Sequence, residues 1–344
     1  MTDVDVRVDG AVGRLTLMRP DALNALTYDM MRAIDGALQR WADDDDIAMV
    51  IIDAIGDRAF CAGGDIAELY RRTQSGDLAY SRRFWRDEYR MNARIANYPK
   101  AYVALMDGIV MGGGVGLSAH GSHRIVTERS MVAMPECAIG LIPDVGGTFL
   151  LGRSPGHLGV FLGLAGARMG AADAIHAGFA DCFVTSEKLP ELIDALVQEP
   201  VPQVIERFAE APPSGSLAEH QSSIDRIFAG QDLHAIAAAL AETEGGDWLD
   251  VARKAFAKSC PLSMHATLSM IRDAREMASL EEALAREYRY TWRSLEDGDF
   301  MEGIRAAVID KDRTPRWSKA DIDAVGRADI EAMLASLSEN ELTF

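Results

Sequence analysis

The spacing of apolar residues changes period several times along the chain, and each change predicts an element. Val4 to Met18 alternates apolar and polar residues about Asp9-Gly10, which predicts a strand hairpin ended by Pro20. Met30, Ile34, Leu38 and Trp41 recur at helical spacing behind Thr27, a good capping residue, so a helix to about Trp41 is expected. Asp43 to Asp46 is a charge run read as a solvated loop; a calcium loop would need spaced ligands and a glycine that are absent. Ala48 to Ile55 is a run of apolar residues broken only by Asp53, the pattern of a strand covered on both faces.

Leu78 to Asn97 reads as a helix in which Phe84, Met91 and Ile95 form an apolar stripe whose missing member is Glu88. A carboxylate on an inward face must be paired or functional. Alternatively Trp85, Tyr89 and Ala96 form the buried face and Glu88 lies in water; the pattern does not choose. From about Leu158 onward the period is helical, with segments near Leu189 to Val197, Val201 to Ala209, Leu233 to Glu242, Trp248 to Ser259, Ser263 to Met277, Leu280 to Leu295 and Phe300 to Ile309. No period of 20 to 50 residues repeats. Strand and helix alternate first and helices follow, so the fold class is α/β with a helical C-terminal region. Ala211 to Ser216 (APPSGS) is the linker-like stretch of the second half, and the expected division is a core over residues 1–210 with a helical region over 211–344 packing on it.

Two glycine turns carry the candidate chemistry. Ala59 to Asp65 (AFCAGGD) follows a strand; Asp65 with Glu68 matches a capping box, so a helix should start at Ile66 with Gly64 at its open end. Tyr102 to Met106 is a second buried strand, ended by Asp107-Gly108 and followed by Gly112, Gly113 and Gly114, after which Val115 to His120 can start a helix. Backbone without Cβ atoms can approach a ligand closely and aim N–H groups at it, and a helix N-terminus adds partial positive charge. The pair could therefore supply two N–H donors to one oxygen, as an oxyanion hole does. Two ordinary tight turns fit the spacing equally. A rival reading takes Gly114, Gly116 and Ala119 as a G-x-G-x-x-A dinucleotide turn with Glu128 as ribose ligand. That fingerprint begins at the strand's end, whereas Ile109 to Met111 intervene here.

The 344 residues can bury a large core, and 48% are hydrophobic. A net charge of −18 argues against a nucleic-acid partner, since phosphate neutralisation needs a basic surface. Cys61, Cys137, Cys182 and Cys260 are scattered without C-x-x-C pairs, so reduced thiols and no metal site are expected. MTDVDVRVDG lacks the features of a secretion or transit signal, and no run of about 18 apolar residues could span a membrane. The expected location is the cytoplasm.

Taken together, RPDALNALT (Arg19 to Thr27), AFCAGGDI, MGGGVGLSAHG, MPECAIGLIPDVGG and DFMEGIRAAVIDKDRTPRW (Asp299 to Trp317) resemble the crotonase (enoyl-CoA hydratase/isomerase) superfamily, in their order and over most of the chain. The resemblance implies a spiral of β-β-α turns followed by a helical region, with an acyl-CoA thioester as ligand and no separate cofactor. It assigns the oxyanion donors to the backbone N–H groups of Gly64 and Gly113, lays Ala62, Gly63, Gly64 and Asp65 along the CoA, and puts Glu88, Glu136 and Asp144 at the acyl end. Hydratases of the superfamily carry glutamate at the position of Gly116 and usually glycine at that of Asp144. With the first carboxylate of the hydratase pair missing, hydration is disfavoured. The resemblance is strongest to the branch that hydrolyses β-hydroxyacyl-CoA thioesters, with 3-hydroxyisobutyryl-CoA the expected substrate. Glu136 would act on the carbonyl carbon or its water, and Asp144 would bind the substrate hydroxyl and help place water or a proton. The alternatives are a hydratase or isomerase with altered carboxylates, and a non-catalytic relative within a larger assembly. A homo-oligomer is left open, because such surfaces leave no clear local signature.

Overall fold

In the computed structural model, residues 3–344 are described; Met1 and Thr2, which open the N-terminal stretch considered above, lie outside the described residues. The strands among the described residues are β1 (Val4–Asp9), β2 (Val12–Leu17), β3 (Met49–Ala54), β4 (Ala59–Cys61), β5 (Ala101–Met106), β6 (Ile109–Met111), β7 (His123–Val126), β8 (Met131–Ala133) and β9 (Cys182–Phe183). They form a six-stranded sheet, β1-β2-β3-β5-β7-β9, and a three-stranded sheet, β4-β6-β8. The hairpin β1-β2 is antiparallel with Asp9 opposite Val12. The remaining pairs of the larger sheet are parallel. From β3 onward the strands go alternately to the larger sheet (β3, β5, β7) and the smaller (β4, β6, β8), and this gives the expected β-β-α spiral.

The chain forms two compact units, each built from three segments. The first runs to Gly64 and adds Met91–Val132 and Met169–Ala218; the second comprises Asp65–Arg90, Ala133–Arg168 and Glu219–Phe344. Division therefore does not fall at one position near residue 210. Residues 211–218 remain with the first unit, where Leu217 N–H donates to Asp173 Oδ1 at 2.9 Å.

In the first unit, side chains alternate across each strand. One face of the larger sheet presents Val12, Met49, Ile51, Val103, Leu105 and Ile125 to the helices Leu189–Gln198 and Val201–Phe208. The intervening residues Val50, Ile52, Tyr102 and Ala104 point the other way and are also buried. Burial of both faces explains why β3 reads as consecutive apolar residues from Met49 to Ile52. Thr27 caps the helix Tyr28–Ala42, its Oγ1 accepting from Met30 N–H at 3.2 Å.

The three-residue strand β6 occupies Ile109 to Met111, the stretch that separates the strand-ending Gly108 from the glycine triplet. The chain consequently does not pass from β5 straight into a helix, as a dinucleotide turn requires. Glu128, the rival reading's ribose ligand, is tied to the 3-10 turn Ser186–Lys188 by accepting from Ser186 N–H at 2.9 Å and from Ser186 Oγ–H.

The second unit is helical. Its expected helices are present within a few residues of their predicted ends, among them Pro261–Ala274 and Leu280–Ser294. Phe300–Ile304 continues as a π-helical turn, Arg305–Ile309, where the Arg305 guanidinium pairs with Glu302, Asp310 and Asp312. Helices Leu217–Phe228 and Arg327–Leu334 are not anticipated by the pattern. The four cysteines are free thiols, and among the described residues no helix is long and apolar enough to cross a membrane.

Gly114 marks where the first unit's two glycine turns are packed backbone to backbone: a Cβ there would sit 2.2 Å from the Cys61 carbonyl oxygen. Because that neighbour is main chain, it cannot swing aside. Gly114→Ala should lower unfolding stability by about 1–3 kcal/mol, the usual cost of overpacking a tight site, read from the denaturant midpoint. An unchanged midpoint would show that this contact does not constrain the turn.

Candidate active site

The glycine turns belong to the first unit. The turn after β4 is held in place by Ala62 N–H donating to Leu23 O at 3.0 Å and Leu26 N–H donating to Gly63 O at 2.8 Å. Gly112, at φ +48°, is the N-cap of the helix Gly113–Ser118. A Cβ on Gly63 would lie 3.4 Å from Met111 O and 3.9 Å from Gly113 N, so the two turns are direct neighbours. Parallel pairing of β4 with β6 brings them together.

The carboxylates belong to the second unit. Glu88 lies on the helix Leu78–Ala96 and is only 2% exposed, which resolves the two readings of that helix in favour of an inward Glu88. Trp85 and Tyr89 are buried too, while Ala96 is exposed. Glu136 opens a 3-10 turn, Glu136–Ile139, behind Pro135. C-terminal backbone is packed closely around this turn: Cys260 N–H donates to Cys137 O at 2.9 Å, and a Cβ on Gly303 would fall 2.0 Å from Ile139 O. Asp144 sits on the turn leading into the helix Gly147–Arg153, and its Oδ2 accepts from Tyr89 O–H at 2.7 Å.

Glu136 and Asp144 are each 5% exposed. Burial disfavours their charged forms. Asp144 is pushed up from 3.8 to about 6 by burial, an effect opposed by the Tyr89 hydrogen bond. Glu88 and Glu136 are raised well above the ordinary carboxylate range, first by burial and then by the Asp144 charge. Glu287, fully buried on Leu280–Ser294, is pushed from 4.5 to about 8 by burial, against the pull of its bonds to Thr148 and Gly146. Glu88 Oε1 and Glu136 Oε2 are buried without a hydrogen-bond partner. Unpaired buried carboxylate oxygens are costly, so positions that keep them are candidates for chemistry. Burial thus raises the proton affinity of all four carboxyl groups.

Of the residues put forward from sequence, the structure gathers Glu88, Glu136 and Asp144 in the second unit and Ala62, Gly63, Gly64 and Gly113 in the first. Asp65, assigned to the CoA, is the N-cap of Ile66–Gln74, where its Oδ1 accepts from Glu68 N–H at 3.2 Å. Sequence reasoning does not assign Tyr89 or Glu287 to the site. Glu287 has a usable signal, since it interrupts the buried face formed by Leu280, Ala283, Leu284 and Tyr288 as Glu88 interrupts its own stripe.

The fold and these carboxylates fit a CoA-thioester enzyme of the crotonase type, and the family model for enoyl-CoA hydratase/isomerase matches residues 12–334. The chain belongs to that family. It is 41% identical to the rat mitochondrial 3-hydroxyisobutyryl-CoA hydrolase, over 97% of this chain and 89% of that protein, and 38% identical to the human one over the same shares. Among solved structures it is similar to an enoyl-CoA hydratase from Rhodobacter sphaeroides (52% identity, TM-score 0.95, all of both chains). It is also similar to a carnitinyl-CoA dehydratase from Mycobacterium thermoresistibile (44% identity, TM-score 0.94, 99% of this chain and 98% of that one).

Raised carboxyl pKa values mean that the folded protein binds protons more tightly than the unfolded chain. Their stabilising effect is complete below about pH 4 and is lost as pH rises through the folded values, about 6 for Asp144 and about 8 for Glu287. Glu136→Gln removes one such group. Its stability relative to the unmodified protein should therefore increase from pH 5 to pH 8, by up to about 1.4 kcal/mol per pH unit, the limit for one proton. Denaturant melts of both proteins across that range check this, and a constant difference would show that Glu136 titrates normally.

Proposed function

We propose that the protein hydrolyses the thioester of a short β-hydroxyacyl-CoA, 3-hydroxyisobutyryl-CoA above others, to the free acid and CoA, a step of valine catabolism. Support comes from the hydrolases that match nearly the whole chain, and from the distribution of carboxylates. The observation that carries the reading is Asp144: a buried carboxylate, held by Tyr89, stands where hydratases of the superfamily usually have glycine, and Gly116 stands where they have glutamate.

In this reading the N–H groups of Gly64 and Gly113 hold the carbonyl oxygen as it becomes an oxyanion; one such donor is typically worth about 100- to 1000-fold in rate. Glu136 attacks the carbonyl carbon itself or deprotonates the water that does. The new C–O bond forms, the C–S bond breaks, and the CoA sulfur leaves with the bond's electron pair and takes up a proton. On the nucleophilic route, water then cleaves the glutamyl anhydride. Glu136 acts in its ionised form, and the dry surroundings that raise its proton affinity make that form the stronger base. Asp144, held by Tyr89, binds the substrate hydroxyl, and Glu88 lines the acyl end. Ala62, Gly63, Gly64 and Asp65 lie along the CoA. No metal or nicotinamide takes part, the partner is the acyl-CoA rather than a nucleic acid, and the location is the cytoplasm, although the curated relatives are named as mitochondrial proteins.

A second reading, hydration of an enoyl-CoA, is favoured by the Rhodobacter protein's description. The two differ in what they release. Purified protein should liberate thiol from 3-hydroxyisobutyryl-CoA without added metal or nicotinamide; good hydration of crotonyl-CoA with no thiol release would overturn the hydrolase reading. Glu136→Ala should lower kcat by at least about 100-fold while leaving CoA binding nearly intact. Asp144→Gly should damage β-hydroxyacyl esters more than matched esters lacking the hydroxyl, because only the former lose a charge-assisted hydrogen bond of about 1.5–3 kcal/mol. Equal losses would move Asp144 from selectivity to the chemical step.

A further inference from the structure

We propose that Glu287 is a positioning residue for the candidate active site, its buried carboxylate clasping the turn Asp144–Thr148 from the main-chain side so that Asp144 stays where Tyr89 meets it. The role of Asp144 in turnover rests on the thioesterase reading above; the clasp rests on geometry alone.

The turn needs holding. Val145 has φ +52° and Gly146 φ +81°, two successive residues in the left-handed region. For glycine this is free, but for a β-branched valine it is strained, and such strain persists only where the surroundings over-determine it. Gly147 N–H donates to Asp144 O at 2.6 Å and closes the turn locally. The turn leads into the N-terminus of Gly147–Arg153, whose N-cap is Gly146, a residue with no side chain to satisfy the first amides.

Glu287 fills that role from 141 residues further along the chain. Its Oε2 accepts from Gly146 N–H at 2.7 Å; its Oε1 accepts from Thr148 N–H at 3.0 Å and from Thr148 Oγ–H. The two carboxyl oxygens between them accept all three donors, whereas an amide in its place offers one oxygen and sets an NH2 group against an N–H. Asp144 is thus fixed twice, through its side chain by Tyr89 and through the following backbone by Glu287. Tyr288, the next residue on the same helix, packs edge-on against the Tyr89 ring with centroids 6.1 Å apart, so both supports are tied to Leu280–Ser294.

The test uses the full chain as Glu287→Gln, Val145→Gly and the double variant, assayed on 3-hydroxyisobutyryl-CoA. Misplacing a reacting group by about an ångström costs up to about 100-fold, so Glu287→Gln should lower kcat about 10- to 100-fold with KM changed less than about threefold. Adding Val145→Gly should recover several-fold of that loss, because glycine holds a left-handed backbone without being clamped. An unchanged kcat in Glu287→Gln, or a loss that Val145→Gly leaves untouched, would overturn the proposal. Hydrogen exchange on the unmodified protein decides the clasp without any variant: the Gly146 and Thr148 amides should be protected as strongly as the buried Leu280–Ser294 helix, and exchange at open-loop rates would overturn it. If the unmodified protein released no thiol, the functional reading would fail while the exchange measurement still judged the clasp.

Discussion

The carboxyl groups of Glu88, Glu136, Asp144 and Glu287 are buried in one unit, and the rest of the site depends on how their charge is tolerated. The Asp144 charge raises the other three, so ionising one member makes the next harder to ionise. Asp144 and Glu287 are supported by hydrogen bonds from groups that carry no charge: a phenol, a threonine hydroxyl and backbone amides. Such donors stabilise a negative charge while leaving proton affinity high, whereas a buried lysine or arginine would have pinned these groups as permanent anions. The arrangement suits residues that must gain and lose protons near neutrality.

How much of this is visible in the sequence varies with the kind of signal. The hairpin, β3 and the long helices are legible because each repeats its period several times. The strands β4, β6 and β8 are three residues each, too short to show a period, and β6 looks like a spacer for that reason. Leu217–Phe228 escapes because only a few of its twelve residues are apolar, although Leu217, Ile224, Ile227 and Phe228 are all buried. Glu88 is legible as a break in a stripe. Glu136 and Asp144 are visible only through the resemblance to the crotonase superfamily, since an isolated Pro-Glu or Pro-Asp usually marks a helix end or a turn. Tyr89 and Glu287 act by pairing with residues 55 and 139 to 141 positions away, and no local pattern records such a partner.

The C-terminal helices do more than cover a core. In the second unit they supply the backbone against which the Glu136 turn is set, at Cys260 and Gly303, and the side chain that caps the helix after Asp144. Asp299 is bound into the same region, its carboxylate accepting from Ser318 N–H at 2.7 Å and from Ser318 Oγ–H at 2.9 Å. A substitution in this half of the chain can therefore reach the chemistry without touching a substrate.

The strand order of the larger sheet has a further consequence for how the molecule is made. Its neighbours, β1-β2-β3-β5-β7-β9, stand in the order in which they leave the ribosome, so every strand meets a partner already synthesised and none has to be inserted between two others. The sheet can grow at one edge, from the N-terminus onward. Glu287 is synthesised about a hundred residues after the last of these strands, so a nascent chain already contains every strand of the larger sheet well before the turn at Asp144 can receive its clasp.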